Sequence, residues 1–337
     1  MVDDADQNAE PDWLRNLPIR SEEIGFPADE LVTCANCGKQ NAPNRAACLY
    51  CGAKREGFAE EDKLDVRELE DWENGFNVVL RDAGGADIEK ASDVIAEITS
   101  IEREFLEAAF DTGKNIPIMR APSDEIAQRT SGKLDELGIS TAIVADAELK
   151  TTTLPVRLRS IAFEDGQLKL GHFNLDEFHT IPVDKLILIV VGTIFEDRHE
   201  SVERRQRKGS KMLNEMATSS DEPVIDIYST TDPLGWRIPA SGFDFSCLGA
   251  EKSLVVAENM KKLVARLAQA APDARVVDDY TWLRSLIEVA WPSDVRKDGK
   301  LVAMGKRDFS TVFTTSNATQ FTKYSRMQWR LLYEEKV

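Results

Sequence analysis

Histidine is almost absent from this chain: His172, His179 and His199 are the only three in 337 residues. No motif ties any of them to a nucleophile or a carboxylate pair, so acid-base catalysis built on imidazole has little to draw on. His172 and His179 can approach across a hairpin, but a solvated or hydrogen-bonded structural role is the expected one. Phosphate-cradling glycine loops are missing too, since Gly84-Gly85 is an isolated turn. The longest purely apolar run is Leu186 to Val191, far too short to span a bilayer. Positive charge is in deficit, with 42 Lys and Arg against 59 Asp and Glu, a formal net charge of -17 and a pI near 4.8. That balance argues against bulk attraction to nucleic acid or anionic lipid and leaves only local basic patches to consider. The opening residues, Met1 to Trp13, are acidic and lack the basic, apolar start of an export signal, so a cytoplasmic location is expected.

Cysteine is scarce as well, yet four of the five fall together as Cys34-x2-Cys37, ten residues, then Cys48-x2-Cys51. Two thiolates two residues apart grip one ion from a single tight turn, and two such knuckles complete the four-thiolate tetrahedron that Zn2+ accepts. Gly38 and Gly52 stand just after each knuckle, where the chain must turn so that amides can point at sulfur. Disulfides, a redox CxxC and an iron-sulfur cluster are the competing readings, and the paired spacing within so short a stretch favours zinc over all three. A shell of four thiolates leaves no open position, so the ion is expected to be structural. Cys247, in FDFSCLG, has no partner in the sequence and reads as a small buried hydrophobe.

The cysteine stretch resembles two families of small zinc modules. Cys34-x2-Cys37-x3-Asn41-x6-Cys48-x2-Cys51 has the spacing of the Ran-binding-protein type zinc finger, asparagine included. Cys37-Gly38, Asn41 to Pro43 and Cys51-Gly52-Ala53 also match the bacterial zinc ribbon that recurs at the start of otherwise unrelated multidomain proteins. The Ran type carries a Trp two residues before its first cysteine, where this chain has Val32, and its RNA-binding members stack bases on aromatics, of which only Tyr50 is present. The bacterial ribbon is the better match, and it implies zinc without implying a task.

Composition, 42% hydrophobic and 30% charged over 337 residues, fits a globular chain of about two domains plus accessories. In order, residues 1-33 read as a disordered acidic tail interrupted by Pro11, Pro18 and Pro27. Within it Trp13, Leu14, Leu17 and Ile19 form a small apolar cluster, read as packing on the same protein or as a short docking motif. Residues 34-53 are the ribbon. Residues 54-75, with the acidic run Glu60 to Glu73, read as a solvated linker or short helix.

From Phe76 the pattern tightens. Phe76-Leu80 reads as a strand, Ile88, Ala91, Ile95, Ile98 and Ile101 mark a helix over 87-99, and Phe105, Ala109 and Phe110 mark a second that stops at Gly113. Asn115-Met119 is a strand, Pro122-Ser123 starts a third helix that ends at Gly138, and Thr141-Ala145 closes the unit. The unit spans 76-149, and its β-α-α-β-α-β order is similar, over 74-149, to the C-terminal domain of the bacterial ribosomal stalk protein, which shares its fold with the Clp-protease degron adaptor. Phe76-Leu80, Ala83-Gly84, Ala96-Thr99 and Lys133-Gly138 carry the likeness. The stalk family recruits translation factors through basic residues on its first two helices, where this chain has Asp93, Ala96, Glu102 and Glu104. The degron adaptor needs an Asn-Asp pair and a His-lined acidic pocket, where this unit has Arg81-Asp82 and no histidine. The resemblance therefore implies the fold and a general expectation of protein binding, with no site residue transferred.

Residues 155-275 turn to strands, among them Val156-Phe163, Gln167-Phe173, Lys185-Ile194, Val224-Tyr228 and Trp236-Phe245. The nearly apolar Lys185-Ile194 is expected to be covered on both faces. A helix marked by Val256, Met260, Leu263, Val264 and Leu267 follows and ends at Pro272. This order resembles a bacterial pleckstrin-homology-type barrel with its capping helix, a platform for lipid, peptide or self-association. The fold class expected is multidomain α+β: a four-cysteine ribbon, a stalk-like domain, and an antiparallel barrel or sandwich with a capping helix. Residues 276-337 form a mixed C-terminal extension.

Two basic stretches stand against the acidic average. Arg204 to Lys211 lies in a polar interval between two strands and reads as a solvated, mobile insertion, with an anion-binding arm as the alternative. The C-terminal segment mixes Lys and Arg with Phe309, Phe313, Phe321, Tyr324 and Trp329, the alternation that single-stranded nucleic acid binding uses. Strand and helix patterns there make the aromatics expected core, and exposure along one face is the test. The function expected is a cytoplasmic modular interaction protein, an adaptor or scaffold with an unspecified protein partner. The alternatives are ribosome or nucleic-acid association through the ribbon and basic C-terminal segment, and an enzyme sited in the β domain.

Overall fold

The computed structural model describes residues 31-42, 45, 47-53, 64, 66, 67, 69, 70, 72-99, 101-174, 176-206, 209-301 and 308-336. The expected tail up to residue 30, with its apolar cluster, and the first part of the expected linker lie outside the described residues. The chain divides into two compact units, Met1-Lys63 and Leu64-Val337. In the first, β1 (Val32-Thr33) pairs antiparallel with β2 (Gln40-Asn41). The second is mixed α+β.

The second unit begins with a layer whose elements follow the expected β-α-α-β-α-β order: β3 (Phe76-Asp82), α1 (Ile88-Thr99), α2 (Arg103-Asp111), β4 (Pro117-Ala121), α3 (Asp124-Glu136) and β5 (Ser140-Ala145). Its sheet is antiparallel with β3 in the centre, so Val78, Val79 and Leu80 are completely buried. Ser123 caps α3 by accepting a hydrogen bond from the Ile126 amide, as its place before the apolar periodicity suggests. Leu64, inside the stretch expected to be linker, is buried here and donates its amide to the Ile98 carbonyl. A short α4 (Asp146-Leu149) follows β5.

The larger sheet is open and curled, a half-barrel. It contains β6 (Val156-Glu164), β7 (Gln167-His172), β8 (Phe178-Pro182), β9 (Leu186-Gln206), β10 (Gly209-Ser229), β11 (Trp236-Pro239), β12 (Arg275-Val277), β13 (Asp294-Leu301) and β14 (Asp308-Ser316). The order is β13-β14-β9-β10-β11-β6-β7-β8, with β12 paired parallel to the inner part of β9. Three helices complete the unit: α5 (Val256-Ala270), α6 (Tyr280-Ala290) and α7 (Ala318-Lys336).

Covering on both faces is what the apolar run in β9 anticipates, and the packing shows it. Leu188 and Val190 face a core shared with the three-stranded layer, α6 and α7, whereas Leu186 and Ile189 face a second core closed by Met260, Leu263 and Leu267 of α5. On β10, Val224 and Tyr228 join the first core, and Ile225 and Ile227 the second. Gly192 sits where β9 meets α7: a Cβ there would lie 2.4 Å from the Phe321 ring and 2.9 Å from that of Tyr280, so only glycine lets the helix approach.

The first core runs without a break from the three-stranded layer into α6 and α7, across the positions where the sequence places domain boundaries. Residues 276-337 are part of that body. β13 and β14 extend the sheet alongside β9, and Phe321, Tyr324, Met327 and Leu331 of α7 are completely buried. Polar side chains tie the layers together. Trp291 donates its indole N–H to Asn77 of β3 at 2.7 Å, and Arg326 donates to the carbonyls of Leu149, Lys150, Thr153 and Leu234. In the polar interval, Glu196-Gln206 and Gly209-Asp221 are strand as well: β9 and β10, 21 residues each, pair along it as one long hairpin arm.

Candidate metal centre

Both knuckles have the same local construction. In each, the glycine three residues after the buried cysteine's neighbour turns back: the Gly38 amide donates to the Cys34 carbonyl at 2.8 Å, and the Gly52 amide to that of Cys48 at 2.9 Å. Both glycines lie in the left-handed region, at φ 69° and 70°, which a side chain would strain. The amides of Cys34 and Cys48 donate in turn to Lys39 and Ala53, so the first cysteine of each knuckle is held from both sides. Cys34 and Cys48 are buried, and Cys37 and Cys51 face outward.

The four sulfurs converge. Cys34 Sγ lies 3.8 Å from Cys51 Sγ, Cys37 Sγ lies 3.5 Å from Cys48 Sγ, and all four are within 4.8 Å of one another. A tetrahedron with metal-sulfur bonds of about 2.3 Å has edges of about 3.8 Å, so the cluster is spaced for one ion. A disulfide would require sulfurs about 2.05 Å apart.

Asn41 braces the centre from behind. Its buried carboxamide donates to the Cys48 sulfur at 3.4 Å and to the Lys39 carbonyl at 2.9 Å, while its oxygen accepts from the Leu49 amide at 2.8 Å. Asn36 donates to the Cys51 sulfur at 3.6 Å. Burial alone would push the Cys48 thiol up, but the amides of Tyr50 and Cys51 with the Asn41 carboxamide draw it down to about 6. The Ala53 amide, then Asn36, lowers Cys51. Cys37 accepts from the Lys39 amide, yet burial and the three neighbouring thiols push it up to about 12. The thiols of the cluster thus differ in how readily they ionise, and a bound cation would release the protons they still hold. Asn36 is the contributor that spacing alone did not single out; the Lys39 ammonium lies 4.4 Å over the Tyr50 ring.

The remaining candidates stay apart. His172 lies on β7 opposite Leu158, and His179 on β8 opposite Leu170 with its ring stacked 5.3 Å from Trp236. His199 lies far along β9 between Ala217 and Phe313. Cys247 is half-buried, and that burial raises its thiol. A cavity of about 480 Å³ lies among Arg67, Glu102, Phe105, Met119, Arg120 and Glu288, and Glu288 is engaged by Gln320 and the Ser293 amide. Of the C-terminal aromatics, Phe321 and Tyr324 are completely buried, and Trp329 is half-buried with its N–H on the Ser229 carbonyl. Phe313 is exposed on the sheet, so these aromatics do not form one exposed row. Arg204 and Arg205 pair in strand register with Lys211 and Ser210 near the tip of the arm; Arg207 and Lys208 lie outside the described residues. No helix among the described residues is long and apolar enough to cross a membrane. Compared with protein families, curated proteins and solved structures, the chain matches none.

Proposed function

We propose that this chain is a cytoplasmic modular interaction protein, an adaptor or scaffold, whose ribbon is held by one structural zinc ion. The observation that carries the reading is the closed cluster of Cys34, Cys37, Cys48 and Cys51: four sulfurs at tetrahedral spacing with no open position. Such a centre supplies folding energy and presents a surface; it does not turn over substrate. Zinc is the ion proposed because paired CxxC knuckles at this spacing are those of structural zinc modules. The β-α-α-β-α-β layer, in the order that the stalk and degron-adaptor folds use, supports a protein-binding role for the second unit.

The test is capture of the tagged full-length chain from its native cell at physiological salt, with metal analysis of the purified protein. One zinc per chain and a stoichiometric protein partner are expected. Iron in place of zinc would overturn the cofactor, and recovery of RNA alone, lost on raising the salt, would replace the adaptor reading with a nucleic-acid one.

A further inference from the structure

Among the described residues, no strand pairs with the long hairpin arm on the outer side of β10 beyond Pro223. β11 covers β10 only over Val224-Ile227, and the Ala240 amide closes that contact on the Pro223 carbonyl. Because Pro223 points its carbonyl toward β11 and the β10 register continues unbroken back to Asn214, the main-chain groups of Glu215, Ala217, Ser219 and Asp221 point to the same, uncovered side. Every residue from Met212 to Asp221 is exposed. Sheet edges of this length are normally blunted by charged side chains, proline or bulges; Met212-Glu222 contains no proline, lysine or arginine, and its only charges are the carboxylates of Glu215, Asp221 and Glu222.

We propose that Met212-Glu222 is a β-addition site for an extended peptide segment of a partner protein in which basic and apolar residues alternate. The side chains that border the open edge set the pattern. On one face stand Met216, Thr218 and Ser220, with Glu196, Arg198 and Glu200 of β9 beside them, around a shallow groove of about 370 Å³. Arg198 is engaged by Glu200. On the other face stand Glu215, Ala217, Ser219 and Asp221. An added strand would hold apolar side chains over Met216 and Thr218, and basic ones beside Glu215 and Asp221, in the strand-addition mode where main-chain bonds give affinity and alternate side chains give selectivity. A second copy of this chain is the poorer occupant, since it would oppose acidic edges of two molecules that each carry a formal charge of -17. The proposal rests on the adaptor reading by naming the surface used.

The experiment titrates the zinc-loaded full-length chain with a labelled Lys-Val-Lys-Val-Lys-Val-Lys peptide by fluorescence anisotropy. Saturable binding is expected, with no binding of the Glu-Val counterpart. N-methylation of alternate peptide amides should weaken it by roughly tenfold, the effect of one or two lost main-chain hydrogen bonds. Ser219→Pro removes an N–H that points to the open side and should weaken it similarly. Glu215→Lys with Asp221→Lys should reverse the preference between the two peptides, and it carries the test together with the methylated peptide should Ser219→Pro disturb folding. Absence of binding, or binding indifferent to methylation, to charge reversal and to a folded Ser219→Pro, would overturn the proposal. So would sedimentation showing a wild-type dimer that Ser219→Pro dissociates, because the occupant would then be a second copy. A partner that co-purifies equally with wild type and Ser219→Pro would remove this site and leave the adaptor reading standing.

Discussion

At the scale of the residue, the metal centre depends on Asn41 almost as much as on its cysteines. One carboxamide bonds the Cys48 sulfur, the first knuckle through Lys39 and the second through Leu49, so it fixes the distance between the two halves. Groups that orient ligands in this way typically cost 10-100-fold in metal affinity when removed. Asn41→Ala should accordingly bind zinc about 10-100-fold more weakly, read by competition with a chromophoric chelator, while the far-ultraviolet dichroism of the larger unit stays unchanged. The cysteines and their glycines are legible in the sequence because spacing alone dictates a tetrahedral grip. The role of Asn36 is not, because a polar residue inside a knuckle has the same composition whether its amide meets sulfur or water.

At the scale of the element, α5 and the β9-β10 arm show where pattern reading succeeds and where it stops. The 3.6-residue spacing of Met260, Leu263 and Leu267 identifies α5 and its inward face, and both leucines are completely buried against the sheet. Replacing either with alanine should cost about 2-5 kcal/mol, measured as a lowered midpoint in urea at constant slope. A surface-like change would show that the helix does not close the second core. The arm lacks any such signal. Residues 195-222 mix charge, Ser, Thr and Met without apolar alternation; none of the described side chains in 195-203 and 212-222 is buried, and a strand that buries nothing has no hydrophobic period. Backbone pairing with β14 on one side and β10 on the other holds that part of β9 in place.

For the whole molecule, the division falls between the ribbon-bearing Met1-Lys63 and the large body Leu64-Val337. Chelation should therefore unfold the residues around 34-53 and leave the larger unit with its own cooperative transition, followed by hydrogen exchange with and without chelator. Loss of protection in β9 or α7 on zinc removal would contradict this. Net charge acts at the same scale. The described C-terminal aromatics are largely packed inside and the formal charge is -17, so titration with single-stranded RNA or DNA at about 150 mM salt, where exposed charges are screened beyond about 8 Å, should show no submicromolar binding.

By itself the sequence determined the four-thiolate cluster, the period and order of the elements in 76-149, the doubly covered strand from Leu186 and the helix of Leu263 and Leu267, since each follows from spacing or periodicity within a short window. Only the tertiary structure decided that the three-stranded layer, the curled sheet and the C-terminal helix share one core. That union is made by contacts between residues far apart in the chain, such as Trp291 with Asn77 and Arg326 with the carbonyls of Leu149 and Leu234. Polar residues such as Asn77, Gln320 and Arg326 look like surface in a linear pattern. They are buried because partners meet them once the layers come together: both ends of the Asn77 and Gln320 carboxamides are engaged, and both terminal guanidinium nitrogens of Arg326 donate to carbonyls.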